Sequence, residues 1–260
     1  MKMVLIGSGN LASHLGKAIS ALKGYPIVQV YSKTKINAKK LADKLNCVFT
    51  NNISDLIPNA DLYLIAVSDD EITTVAGRLR NHIHSSSLVV HTSGSIHSSV
   101  LSPFFKNHGV FYPVQTFTKS KKMVYHNVPF LIVASSRKNI QILTLLAKQI
   151  SNTVQVCSDS SKSIIHLSAV FVNNFPNALF DIAAQLLARH ELPFTLLIPL
   201  IEETVNKIHL VRPEVAQTGP AKRNDKSVLS RHRAILKTYP DRWLKIYNEI
   251  TSAIIARHHS

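Results

Sequence analysis

The stretch Met3–Gly16, "MVLIGSGNLASHLG", holds three of the chain's 8 glycines, Gly7, Gly9 and Gly16. Four apolar residues, Met3 to Ile6, run into Gly7 as a buried parallel strand does. The pattern after Gly9, with Leu11, Ala12 and Leu15, suits the start of a helix. A strand, a tight turn and a helix leave free backbone N–H groups at a helix N-terminus, where a pyrophosphate can sit. Gly7 permits the turn, Gly9 lets phosphates reach the backbone, and Ala12 lets the helix pack on the strand. The G-x-G-x-x-A spacing fits a ligand-free βα turn as well. Its place ahead of a second strand favours a dinucleotide loop, with Gly7, Ser8, Gly9, Asn10 and Leu11 as the expected contacts.

The rest of the chain extends that unit. Ile27–Val30 reads as the second strand, and "NAKKLADKLN" is helical in period. Leu62–Val67 and Leu88–Val90 are apolar strands, each ending in a polar corner, Ser68-Asp69-Asp70 and His91-Thr92-Ser93-Gly94. Further strands are expected at 109–112, 130–134 and 153–156, with a helix over 139–150. Strands alternating with helices predict a doubly wound parallel sheet. Beyond Ser160 helical patterns follow one another, at 162–190, 193–211, 226–238 and 241–256, punctuated by Pro193, Pro213, Gly219-Pro220 and Pro240. The fold class is therefore α/β, with a Rossmann-type domain over residues 1–159 and an all-helical domain over 160–260. Helices apolar on more than one face need a partner, so a homodimer through the helical domain is expected.

The end of the second strand bears on which dinucleotide is bound. An NAD site uses an acidic residue there to hold the ribose hydroxyls. This chain reads Tyr31-Ser32-Lys33-Thr34-Lys35, and its first acidic residue is Asp43. Ser32, Lys33 and Thr34 suit the 2′-phosphate of NADP by charge and hydrogen bonding. The same lysines also fit a merely solvated loop, but the glycine loop upstream favours NADP.

Composition narrows the partners. At 260 residues, 45% hydrophobic and 17% charged, the chain can bury a sizeable core. The net charge of +15 is spread over scattered lysines and arginines, with short clusters at Lys33–Lys40, Lys119–Lys122 and Lys222-Arg223. No recognition helix, RNA-binding aromatic motif or zinc finger accompanies them, so nucleic acid is not the expected partner. A small-molecule substrate is. No segment approaches the ~18 apolar residues of a membrane span. The first residues carry too short an apolar run for a signal peptide, so a cytoplasmic protein is expected. Cys47 and Cys157 give no disulfide framework, and no His or Cys spacing suggests a metal.

Ligands of open α/β sheets bind beyond the carboxyl ends of the strands. Val67, Ser68 and Thr92 are therefore expected to touch the cofactor, and Ser93 the reacting centre. Of Asp69 and Asp70, one is expected to cap the helix that begins near Ile72. His91 could serve as a proton donor, but at a buried strand end a histidine is more often a packed structural residue. In "HLSAVFVNNFPNALF", His166, Asn173 and Asn177 lie at i, i+7 and i+11, within about 20° of one another on a uniform helix. This polar stripe fits contacts between helices or the wall of a cleft; a helix directly following the Rossmann domain favours the cleft. His166 is then the candidate proton donor, Asn173 and Asn177 orient substrate, and Gln115 of "PVQTF" stands at the rim.

Seven segments in order resemble one bacterial family: "VLIGSGNLASHL", "LIAVSDDEI", "HTSGS", "GVFYPVQTF", "HLSAVFVNNFPNAL", "PLIEETVNK" and "AQTGPAKRND". That family pairs a Rossmann-like domain with a helical domain of unknown function. It carries the label of an NADP oxidoreductase of the deazaflavin-dependent type. More distantly, the layout is similar to pyrroline-5-carboxylate reductases, prephenate dehydrogenases and β-hydroxyacid dehydrogenases. Prephenate dehydrogenases place a catalytic His where this chain has Tyr112, ahead of Pro113. The β-hydroxyacid enzymes place a catalytic Lys several residues ahead of an Asn; here His166 precedes Asn173, with Lys162 one turn earlier. The resemblance implies the fold and the cofactor class and leaves the substrate open; the leading expectation is an NADP(H)-dependent oxidoreductase acting on a C=O or C=N group of a small anionic substrate. A non-catalytic NADP-binding sensor or scaffold is the other reading.

Overall fold

The computed structural model describes residues 1–118 and 123–259. The basic cluster Lys119–Lys122 lies outside the described residues. Eight strands form one sheet: β1 (Met3–Ile6), β2 (Ile27–Tyr31), β3 (Val48–Thr50), β4 (Leu62–Ile65), β5 (Leu88–His91), β6 (His108–Pro113), β7 (Phe130–Ala134) and β8 (Val154–Val156). Their order is β3-β2-β1-β4-β5-β6-β7-β8, so the first six follow the Rossmann arrangement and two more extend it.

The sheet is mixed. β7 runs antiparallel to β6, pairing Phe111 with Ile132, and β8 lies parallel to β7. The expected all-parallel sheet fails here for a topological reason. Parallel neighbours need a crossover, whereas the described part of the β6–β7 connection holds only a 3-10 turn, Tyr125–Asn127, so the chain doubles back. β3, at the sheet edge, is too short and exposed to show as a period in the sequence.

β1 explains the two-sided core. Met3 and Leu5 pack on one face with α1 (Asn10–Ser20), α2 (Lys35–Leu45) and α4 (Arg137–Lys148); Val4 and Ile6 pack on the other with α3 (Ile72–Leu79). Alternate residues of a strand point to opposite faces, so an unbroken apolar run is what a sheet covered twice requires.

The chain packs as two units, residues 1–172 and 173–260. The first also contains α5 (Asp159–Ala169); the π turn Val170–Asn174 follows, and then α6 (Phe175–Ala188). The single helix expected over 162–190 is thus interrupted. Pro176 has no N–H to bond the carbonyl four residues back, and the π turn sits just before it. The second unit continues with α7 (Ile198–Leu210), α8 (Pro213–Ala216), α9 (Lys226–Leu236) and α10 (Asp241–His259). Its buried centre is Ala221, Leu229, Leu236, Trp243 and Thr251. Among the described residues no helix is long and apolar enough to cross a membrane.

Candidate functional site

Gly7 adopts φ +118°, a conformation open to glycine, and a Cβ there would strike the Ala66 carbonyl. The turn it makes delivers Gly9 to the N-cap of α1. Gly9 has ordinary dihedrals, and a Cβ added to it would find nothing within 4 Å. No side chain caps α1, and its first turn holds no acid. The positive end of the helix therefore faces an open cleft, the arrangement that receives a phosphate group.

That cleft has a volume of about 540 Å³. Gly7, Ser8, Gly9, Asn10 and Leu11 line it, as do Ser32 and Lys33 after β2 and Val67 and Ser68 after β4. The Ser8 and Ser32 hydroxyls bond each other at 2.8 Å, tying the glycine loop to the end of β2. Of the expected cofactor contacts, two stand apart from these lining residues. Thr34 is the exposed N-cap of α2, and buried Thr92 donates its N–H and hydroxyl to the Ile65 carbonyl. Glu71 also lines the cleft, arriving from the turn after β4 rather than from the end of the second strand. Its carboxylate meets Lys33 Nζ at 2.5 Å.

The second corner follows β5 and is built around buried groups. Ser93 Oγ accepts from the Ser95 and Ile96 N–H groups at 3.2 and 3.1 Å, so this hydroxyl caps its own turn. Asp69 accepts from the Ser95 hydroxyl. Neither Asp69 nor Asp70 caps α3, which has no side-chain cap; the 3-10 turn Asp69–Glu71 fills the place where capping was expected. Lys162, wholly buried on α5, donates to the carbonyls of Gly94 at 3.0 Å and Ile96 at 2.5 Å. Burial pulls the Lys162 ammonium below its usual range, opposed by Asp159 at 3.7 Å. Burial works against ionising Asp159, yet the Ser98 hydroxyl and N–H, with His97 and Lys162, hold its carboxyl below the usual range.

His166 meets this corner directly. Its Nδ1 lies 3.0 Å from the Tyr112 hydroxyl, and the two rings meet edge to face. Gly94 lies against both: a Cβ there would strike the imidazole and come within 2.6 Å of Tyr112 Cζ. Burial, reinforced by Asp69, raises the Tyr112 phenol, which stays protonated through neutral pH. Tyr112 emerged from the sequence only as the residue standing where relatives have a histidine. The two corners are tied through the end of β4, where Gly7 lies against the Ala66 carbonyl and the Thr92 N–H bonds the Ile65 carbonyl.

The polar stripe is divided. Asn173 is exposed in the π turn and Asn177 exposed on α6, both in the second unit, while His166 belongs to the first. A π turn takes about one residue more per turn, so uniform 100° steps do not carry across it. Gln115 is exposed and its amide oxygen accepts from the Thr116 N–H. The loop behind it is pinned to α1, where Asn10 and His14 bond the carbonyls of Phe117 and Thr118. Among the described residues no three metal-binding side chains cluster.

Two family models cover most of the chain: a Rossmann-like domain over residues 1–114 and a domain of unknown function, DUF2520, over 128–254. BF3122 of Bacteroides fragilis, provisionally named an NADP oxidoreductase, is 37% identical, with 98% of each chain covered and a TM-score of 0.91. Protein TM1727 of Thermotoga maritima shares the fold at 22% identity and a TM-score of 0.82, over 99% of this chain and 100% of that one. Prephenate dehydrogenase from A. aeolicus, solved with hydroxyphenyl propionate and NAD+, shares it at 14% identity. There the TM-score is 0.57, with coverages of 73% and 70%. No curated protein matches. With its glycine-loop domain joined to a DUF2520 domain, and near-complete alignment to BF3122, the chain belongs to the family of Rossmann-like DUF2520 proteins.

Proposed function

We propose that the protein is an NADP(H)-dependent oxidoreductase that reduces a C=O or C=N group of a small anionic substrate. The observation that carries this reading is the glycine-loop cleft, with α1 uncapped at one wall and Lys33 beside the end of β2. The provisional name of BF3122, a relative aligned along nearly the whole chain, supports it.

A bound nicotinamide supplies the hydride. The chain has to bind it, orient it and place a proton. The amides at the start of α1 take the pyrophosphate, and Ser32 and Lys33 take the adenosine end. His166 is the proton donor. In its imidazolium form His166 donates Nδ1–H to the oxygen of Tyr112, which stays a phenol, and passes its Nε2 proton to the substrate, leaving a neutral ring. Lys162 positions the Gly94 turn under this pair by holding its carbonyls. Thr92 and Ser93 shape the same corner.

Titrating the purified protein with NADPH and NADH tests the cofactor. NADPH is expected to bind at least tenfold more tightly, about 1.4 kcal/mol, and Lys33→Glu to remove or reverse the preference. Equal affinities would sink the NADP assignment, and no binding of either would take the oxidoreductase reading with it.

The protein acts as a homodimer joined through its helical unit. α6 is almost entirely apolar yet has no buried residue, and α7 exposes Leu200, Val205, Ile208 and Leu210. Helices of that composition bury their faces against something. Light scattering at micromolar concentration should give twice the mass of the 28.9 kDa chain; a monomer there refutes the assembly.

A further inference from the structure

Among the described residues that line the cleft there is one ammonium group, Lys33, and one carboxylate, Glu71, and they are paired at 2.5 Å. Their positions make the pair more than a surface contact. Lys33 follows β2, and Glu71 ends the turn after β4. β1 lies between those two strands, and the glycine loop leaves from its end. The ion pair therefore spans two inter-strand spacings, about 10 Å of sheet, across the outlet of the loop. Long side chains on both sides are what such a span needs. The paired carboxylate oxygen, Oε2, is shielded from water and meets no group other than the Lys33 ammonium, the cation that neutralises it.

On the reading that this cleft takes a pyridine dinucleotide, we infer that Glu71 sets its discrimination between cofactors, because its carboxylate occupies Lys33 until a 2′-phosphate displaces it. The two cofactors differ at one ribose oxygen. A ribose hydroxyl is a donor that Glu71 can accept while remaining on Lys33. A 2′-phosphate brings up to two negative charges to a place already holding one, and competes for the same ammonium. Glu71 is thus an internal rival of the 2′-phosphate, and repulsion of one ligand shapes selectivity as much as attraction of the other. Lys33 makes the cleft an NADP site, and Glu71 limits how strongly NADP is preferred.

Glu71→Gln keeps the shape and removes the charge; Glu71→Ala removes both. NADPH, NADH and 2′,5′-ADP are titrated into wild type and both variants. Both substitutions should tighten NADPH and 2′,5′-ADP by about tenfold, or 1.4 kcal/mol, while NADH, which gains nothing from the freed ammonium, tightens in neither. Equal changes for NADPH and NADH would overturn the inference while leaving the cleft a dinucleotide site. Weaker NADPH binding in both variants would overturn it too, making Glu71 a support that holds Lys33 in place. If none of the three probes binds any of the proteins, the dinucleotide reading itself fails.

Discussion

Gly9→Val is expected to weaken NADPH binding by at least a hundredfold, about 2.7 kcal/mol, while costing the fold only the N-cap preference of glycine over valine, about 1 kcal/mol. Gly9 adopts φ −68° and ψ −172°, a conformation any residue can take. The space beyond its missing Cβ is empty because it is the cleft itself. A Cβ there meets no protein atom, and the branched side chain of valine fills the volume through which a pyrophosphate would approach the amides of α1. Gly7→Ala is the contrasting substitution. It forces a positive φ on alanine and drives a methyl into the Ala66 carbonyl, so it damages the fold itself. Nucleotide fluorescence titration beside urea unfolding separates the two. Gly9→Val with wild-type affinity would show that the nucleotide does not bind at this loop.

That contrast shows why so much of the glycine-loop cleft is legible in the sequence. Local rules govern it: a strand closed by glycine, a glycine at the N-cap, a small residue where helix meets strand. Those rules carry all the information within ten residues, and the cleft forms from the segments they named. Glu71 was invisible for the opposite reason. It reaches Lys33 from a loop two strands away, and a side chain that arrives from another strand leaves no mark on the sequence beside its partner. Tyr112 was similarly hidden; its bond to His166 joins β6 to α5 across 54 residues. The antiparallel β7 escaped because strand periodicity is the same in either direction. The stripe His166, Asn173, Asn177 rested on continuous α geometry, and the π turn beside Pro176 breaks that assumption.

The corner after β5 depends on neutral and charged groups held away from water, and the three main ones constrain each other. Lys162 needs the carbonyls of Gly94 and Ile96, because a buried ammonium without acceptors would give up its proton. Asp159 fixes the far end of the same segment through Ser98. His91 completes the set. It is wholly buried, its Nδ1 accepts the Ser93 N–H at 3.2 Å, and its Nε2 therefore carries the proton and donates to the His97 carbonyl at 3.3 Å. Both nitrogens are satisfied in the neutral ring, and protonation would turn the Ser93 bond into a clash of two donors.

His91 should accordingly make the protein lose stability as it is acidified from neutral pH. Burial lowers its pKa from 6.5 to about 4, opposed by the bond to His97 and lowered further by the charge on Lys162. Above pH 6.5 neither the folded nor the unfolded chain protonates this ring, and the full stability is present. Between 6.5 and 4 the unfolded chain takes up the proton and the folded chain does not, so stability falls with pH. At 1.36 kcal/mol per unit, the loss from pH 7 to pH 4.5 is about 2 to 3 kcal/mol. A carboxylate such as Asp159 contributes in a different window: held below its usual 3.8, its share is lost only as pH falls beneath that value. Urea unfolding at pH 7 and pH 4.5, for wild type and His91→Gln, isolates the ring. The variant should start less stable, having lost fitted hydrogen bonds, but should lose less on acidification by about 2 kcal/mol. Equal losses in the two proteins would mean that His91 binds a proton as readily folded as unfolded. The loop beneath Tyr112 and His166 would then not be held by a neutral ring.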